Sequence, residues 1–498
     1  MAMLEIAKAK DQSIGLYLDK MNRHGLIAGA TGTGKTITLK VVAEQLSTQG
    51  IPVFLADIKG DLASLAKAGS LEGKVAERVE ALHLQDFVPQ AFPVRLWDVF
   101  AQAGTPVRST ITEMGPLLLG RLLDLNDTQY GILSIAFKLA DDQGMALIDM
   151  KDLKALLQHM AEHASAYSAQ YGNITKQSIG AIQRSLMVLE EQGGDLFFGE
   201  PALDLRDFMQ TDASGKGYIN ILMAQKLFNS PKLYSTFLLW MLSELFEILP
   251  EVGDLPQPKM VFFFDEAHLL FKDAPKAFLE KVEQVVRLIR SKGVGIYFVT
   301  QNPADLPESI LAQLGNRIQH ALRAYTPKEV KAVKLAASTF RTNPDLKTEE
   351  VLTELKVGEA LISCLNEEGQ PQMVERSTVR PPQSYMGTLS PDDLALLVQS
   401  SSMEAKYRQA FDRESAFEIL QKRVEQQAQE VALAEEKARL EKERAALEKE
   451  REKAANKRPA GRPAKSAAEK ATESFFSSVT RTLGRELVRG LFGSLKKK

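Results

Sequence analysis

The sequence is poor in cysteine: Cys364 stands alone in 498 residues. An intrachain disulfide and a cysteine-based zinc site are therefore excluded, and a reducing cytoplasm is the expected location. A long apolar run is also missing. The best candidate, Leu233 to Leu249, carries Glu244 and Glu247. It falls short of the roughly 18–20 apolar residues of a membrane span and reads as a buried helix. No charged stretch followed by an apolar one opens the chain, which argues against secretion. Neither charge sign dominates: 62 Lys and Arg oppose 64 Asp and Glu, a net −2 that identifies no partner. What is present is ordinary globular material, 44% hydrophobic and 25% charged. That excludes wholesale disorder and leaves room for two or three domains.

The charge is nevertheless unevenly placed. From Arg451 to Lys498 there are 13 Lys and Arg against 4 Asp and Glu, and the first 450 residues hold 49 against 60. An acidic body with a basic tail fits a tail that meets an anionic surface, and equally a solvated, solubilising tail.

Short apolar runs alternate with helical stretches. His24–Ala28, Pro52–Asp57, Tyr218–Ala224, Met260–Asp265, Val294–Thr300, Asn316–Tyr325 and Glu359–Leu365 read as strands. Most are too continuously apolar for a sheet wetted on one face, so a mainly parallel α/β sheet covered by helices is expected. Residues 1–99 and 216–385 form the two halves of this core, with a helical insertion over 100–215 between them. A charged helical arm (386–456), a basic linker (457–472) and a basic amphipathic tail (473–498) follow. In the arm Leu433, Leu440 and Leu447 recur every seven residues, but Lys437 and Arg444 occupy the other seam position. Half a seam fits a coiled coil and a solvated helix alike.

The most specific stretch is Gly29-Ala30-Thr31-Gly32-Thr33-Gly34-Lys35-Thr36, a GxxxxGK[ST] pattern between a strand and a helix. Its glycines let backbone N–H groups curl around phosphates, and the helix N-terminus adds partial positive charge. Lys35 would reach the β- and γ-phosphates of ATP, and the Thr36 hydroxyl would ligate Mg²⁺. A second strand, Met260 to Phe264, ends in Asp265-Glu266. Asp265 would hold the Mg²⁺ and its water shell, and Glu266 would polarise an attacking water. A third strand ends in Thr300-Gln301, where an amide can sense the γ-phosphate. Arg287 and Arg290 lie before that strand, where an arginine can reach a neighbouring subunit's γ-phosphate. Weaker signals are a Gly461-Arg462-Pro463 stretch among basic residues and His159/His163 at i,i+4, which fits an ordinary helix face better than a metal site.

These elements, in this order, resemble the HerA/FtsK class of P-loop motor ATPases. Phe54-Leu-Ala-Asp57-Ile-Lys59-Gly-Asp61, Phe263-Phe-Asp-Glu-Ala-His268, Arg290-Ser-Lys-Gly and Val299-Thr-Gln301-Asn-Pro are similar to the HerA-like branch, and within it to YjgR-type bacterial proteins. The resemblance implies a RecA-like core, a homo-oligomeric ring that is usually hexameric, and ATP-driven movement on DNA. It implies Lys35 and Thr36 on phosphate and Mg²⁺, Asp265 and Glu266 as the Walker B pair, Gln301 as sensor and Arg290 as the finger acting in trans. Two other readings stay open: an ATP-gated switch or scaffold controlling a partner protein through the arm, and a P-loop kinase, which has less need of Glu266.

Overall fold

The computed structural model describes residues 2–271 and 276–455. The basic linker and tail, with the Gly461-Arg462-Pro463 stretch, lie outside the described residues. The chain divides into two compact units, Met1–Lys422 and Arg423–Lys498.

The first unit is organised on a 12-stranded sheet. Its strands are β1 (Met3–Ala9), β2 (Gln12–Tyr17), β3 (Gly25–Ala28), β4 (Val53–Asp57), β5 (Val94–Asp98) and β6 (Thr105–Pro106). They continue with β7 (Ile219–Met223), β8 (Met260–Phe264), β9 (Val294–Thr300), β10 (Asn316–Gln319), β11 (Glu359–Ser363) and β12 (Glu375–Val379). The spatial order is β2-β1-β12-β11-β10-β3-β9-β8-β4-β7-β5-β6. From β10 to β6 every pairing is parallel, and from β10 to β2 every pairing is antiparallel. The parallel part is covered on both faces, which its sequence requires. Met260, Phe262 and Phe264 of β8 enter one apolar cluster, while Val261 and Phe263 enter the other. Phe54 and Ala56 of β4 split from Val53 and Leu55 in the same way. This is the two-residue period of a strand with no wet face.

One cluster joins the sheet to the helical insertion. Helices Ile111–Leu122, Asp127–Asp142 and Met150–Glu162 each begin with a reciprocal capping box, at Thr110/Glu113, Asn126/Gln129 and Asp149/Asp152. Each box satisfies two backbone N–H groups that a helix start would otherwise leave open. The apolar run near residue 240 forms helix Pro231–Ile248, which buries Tyr234, Phe237 and Trp240 in this cluster. Among the described residues no helix is long and apolar enough to cross a membrane.

Two sequence readings differ from the structure. Asn316–Tyr325 pairs only as far as Gln319, because its partner β3 ends at Ala28; just beyond, the His320 ring bonds Thr38 and the carbonyl of Glu359. Residues 386–422, read as part of the arm, fold with the first unit: Tyr407 is buried on Trp97, and Ser415 bonds Asp152. Helix Ala416–Ala455 is exposed on every side from Glu425 through Lys453.

Candidate functional site

The site grows from the C-terminal ends of three neighbouring strands, β3, β9 and β8. After β3 the loop 29–34 turns into helix Lys35–Thr48 through glycines with φ of 153° at Gly29, 76° at Gly32 and 116° at Gly34. A side chain at Gly29 is impossible without rearrangement, since a Cβ would stand 2.5 Å from that of His320. The loop is tied down by backbone bonds from Ala30 N to Ala321 O (2.8 Å) and from Gly358 N to Thr33 O (3.0 Å). His320 braces it from behind, with its Nε2 2.8 Å from Thr38 Oγ1. Burial pushes the His320 imidazole down to about 4, so it is a neutral hydrogen-bonding post at neutral pH.

Lys35 is buried, and its ammonium donates to the loop's own carbonyls, Gly29 O at 2.5 Å and Ala30 O at 3.0 Å. Burial, and then the Lys59 charge, lower its pKa, while Asp265 and Glu266 oppose the shift. The loop opens on a cavity of about 390 Å³ lined by Gly32, Gly34, Lys35, Thr36, Lys40 and Lys59, with Asp61 among them. Three lysines against one carboxylate make it a receptacle for an anion. Lys59 and Asp61 are presented by a turn that Asp57 organises. The buried Asp57 carboxylate accepts from the backbone N–H of Lys59, Gly60, Leu62 and Ala63, at 3.1, 2.6, 2.9 and 3.4 Å.

The acidic pair ends β8. Asp265 is half-buried and Glu266 is buried. Burial and the neighbouring Glu266 raise the Asp265 carboxyl to about 6. Glu266 has φ 48°, a left-handed conformation that costs a non-glycine residue energy and recurs at functional sites. Its carboxylate faces the Gln301 amide, 3.3 and 3.4 Å away, and the His268 ring, 3.4 Å away. The acidic pair is not on the strand next to β3. β9 runs between, so Gln301 lies between Lys35 and Glu266, across roughly 10 Å of sheet.

Arg290 is not in this group. It lies in the turn Arg290–Lys292 that precedes β9, at the opposite end of the strand from Gln301. Seven residues of strand separate the two ends, or roughly 20 Å at about 3.3 Å per residue. Arg290 is half-buried and pairs with Asp254 at 3.8 Å. Arg287 is exposed on helix Lys276–Ile289. His159 faces Tyr167 Oη at 3.0 Å, and His163 contacts the His159 carbonyl, as on an ordinary helix face. Sequence reasoning missed His320, Lys40 and Glu44. All three act through partners distant in the chain, and no local signal marks them.

A mainly parallel sheet with helices on both faces, and a glycine loop feeding a buried lysine into a helix start, define a RecA-like P-loop NTPase. The chain belongs to the helicase HerA-like C-terminal family, whose model matches residues 2–498. It is 24% identical over 366 residues to the DNA double-strand break repair helicase HerA of Sulfurisphaera tokodaii, covering 71% of this chain and 64% of that protein. The chain thus spans just under two thirds of that relative's length. Among solved structures it is similar to the bacterial conjugative coupling protein TrwB lacking its N-terminal 70 residues, with TM-score 0.51, 13% identity, and 78% and 91% of the two chains covered. It is also similar to VirB4 of Thermoanaerobacter pseudethanolicus, with TM-score 0.50, 15% identity, and 78% and 97% covered. At these identities the structural likenesses show the fold.

Proposed function

We propose that this protein is a Mg²⁺-dependent ATPase of the HerA-like type that couples hydrolysis to movement on DNA as an oligomeric ring. The observation that carries the reading is the convergence of Lys35, Gln301 and Asp265-Glu266 on one sheet edge beside a cationic cavity, in a chain of a helicase family. Loop N–H groups and Lys35 hold the phosphates, and the ammonium leaves its own loop carbonyls to do so. Glu266 takes the proton of an attacking water. Gln301, on the same carboxylate, reports whether a γ-phosphate is present. Arg290 is too far away to serve its own site and serves a neighbour's.

The donor set fits Mg²⁺. Thr36 offers a hydroxyl at the cavity and Asp265 a carboxylate, both hard oxygen ligands. Among the described residues no cluster of three or more His, Cys, Asp or Glu could hold a metal alone. That matches an ion carried largely by substrate phosphates. Bound there, Mg²⁺ would neutralise charge building on the β- and γ-phosphates.

The test is steady-state hydrolysis with and without double-stranded DNA. Lys35→Ala is expected to abolish turnover and ATP binding. Glu266→Gln is expected to lower turnover by a hundredfold or more, on the order of a lost general base, while still binding ATP. DNA should stimulate the wild type, and salt should erase the stimulation as counterions compete for phosphate contacts. Hydrolysis indifferent to DNA would replace the motor with the partner-controlled switch.

A further inference from the structure

The cavity that receives the phosphates has a second wall of different chemistry. Besides the lysines and the glycine loop it is lined by Val357, Met386, Gly387 and Thr388. Val357 and Met386 are apolar yet 67% and 52% exposed. Exposed apolar side chains scattered over a surface need no explanation, but two that line one cationic cavity form a surface for a flat apolar face. Methionine in particular packs well against aromatic rings.

Residues 386–388 are held in place by an anchor on the phosphate loop's own helix. After β12 the chain passes through Pro381-Pro382 and meets Glu44, which is buried. The Glu44 carboxylate accepts from Gln383 N (2.8 Å), Ser384 N (3.0 Å) and Ser384 Oγ (2.5 Å). One turn earlier, buried Lys40 donates to Tyr385 O (2.6 Å) and Ser64 Oγ (2.8 Å). On the outer side Gln383 O accepts from Gly69 N and Gln90 N. Two buried ionisable groups, four residues apart on helix Lys35–Thr48, thus grip three consecutive residues of the strap. A solvated loop would need neither. Burial pushes the Lys40 amine down to about 8 and raises the Glu44 carboxyl, so both are kept at some cost to stability.

We infer that Val357 and Met386–Thr388 form the nucleoside subsite of this cavity, with the base against Val357 and Met386, and that Glu44 and Lys40 are the positioning residues that hold this wall against the phosphate loop. The inference rests on the nucleotide-binding reading above and adds the part of the ligand beyond the phosphates. It also explains why the anchor lies on the helix that begins at Lys35. One rigid element then sets the distance between the phosphate end and the base end of the ligand.

The test compares two ligands by titration calorimetry on the full chain at fixed Mg²⁺: ATP, and inorganic tripolyphosphate, which has no nucleoside. Met386→Ser and Val357→Ser alter exposed side chains and leave the core intact. Each is expected to weaken ATP about tenfold, the scale of lost stacking on one base, and to leave tripolyphosphate within about twofold of wild type. Glu44→Gln is expected to show the same selective loss, and Ser384→Ala a smaller one. A merely structural Glu44 would lower both affinities together. Equal losses for both ligands, or full ATP affinity in the Met386 and Val357 variants, overturns the subsite. A Lys35→Ala chain that loses both ligands while Met386→Ser loses only ATP separates the two ends of the cavity. A wild-type chain that binds neither ligand overturns the nucleotide reading and the subsite with it.

Discussion

At their C-terminal ends β3, β9 and β8 lead into buried Lys35, into Gln301, and into Asp265 and buried Glu266. At their N-terminal ends β3 and β9 are preceded by Arg23, buried His24 and Arg290. The first edge gathers glycines with positive φ, a cationic cavity and two carboxylates. The second brings two guanidinium groups together, near enough that Arg23 helps lower the Arg290 pKa, second to burial, against the single carboxylate of Asp254. The first edge, on the proposed reading, is a site that lacks an arginine, and the second offers Arg290, which lies at the far end of β9 from Gln301. On the proposed reading the edges complement one another between subunits, so a ring is the arrangement that uses both.

The largest expected effect tests that complementarity. Arg290→Ala should lower turnover about a thousandfold, the low end for an arginine finger, with ATP affinity much less changed. Lys35→Ala is inactive for a different reason, since it retains the arginine and lacks the site. Mixing the two inactive chains should restore measurable hydrolysis, because an intact site then faces an intact Arg290. If no mixing ratio restores activity, Arg290 does not act across subunits and the two edges are unrelated.

Next come the two buried histidines, one at each edge. Burial holds both His24 and His320 near 4, against about 6.5 in the unfolded chain. As pH falls below 6.5 the unfolded state takes up protons first, so stability present above 6.5 is lost down to about pH 4. The loss is at most about 3 kcal/mol for each histidine. Denaturant titrations at several pH values should show this slope flattened in His24→Asn and also in His320→Gln. Only the His320 variant should weaken ATP binding as well, since only His320 packs on Gly29 and Thr38. Equal loss of ATP affinity in both would erase the functional distinction between the edges.

A smaller change is expected at Gln301. Its amide lies 3.3 and 3.4 Å from the two oxygens of Glu266, long for hydrogen bonds, so it orients the carboxylate rather than anchoring it. Gln301→Ala should lower turnover roughly tenfold, below the loss expected for a direct transition-state donor, with little change in ATP affinity by calorimetry. A loss as large as that of Glu266→Gln would instead make Gln301 a direct participant.

The C-terminal edge was far more legible in the sequence than the other parts. A phosphate loop is contiguous, and strands β3, β4, β7, β8 and β9 announce themselves as apolar runs because both their faces are buried. β1, β2, β5 and β12 are not apolar runs of this kind, and the two-residue β6 lies inside the stretch read as a helical insertion. β1 and β12 mix charged and apolar residues, and β5 carries Arg95, whose burial is intelligible only once its bonds to Asp207 O and Gln210 Oε1 and its stacking on Tyr218 are seen. His320, Lys40 and Glu44 were invisible for the same reason: their partners lie 282, 345 and 340 residues away. Local pattern reveals chemistry held by one loop, whereas chemistry held by a tertiary contact needs the fold.

The smallest expected effect guards the reading of Arg290. Its ion pair with Asp254 is 3.8 Å long, with side chains 38% and 77% exposed. Such pairs contribute about 0–1 kcal/mol, and this one is at the long limit of the class. Asp254→Asn should therefore leave the denaturation midpoint nearly unchanged, within about 0.5 kcal/mol. Turnover should not fall, because the pair competes with an incoming anion for the same guanidinium. If Asp254→Asn lowers stability as much as removal of a buried contact would, Arg290 is a structural residue of the N-terminal edge. The thousandfold loss in Arg290→Ala would then report misfolding rather than a missing charge, and the mixing experiment would have to carry the distinction alone.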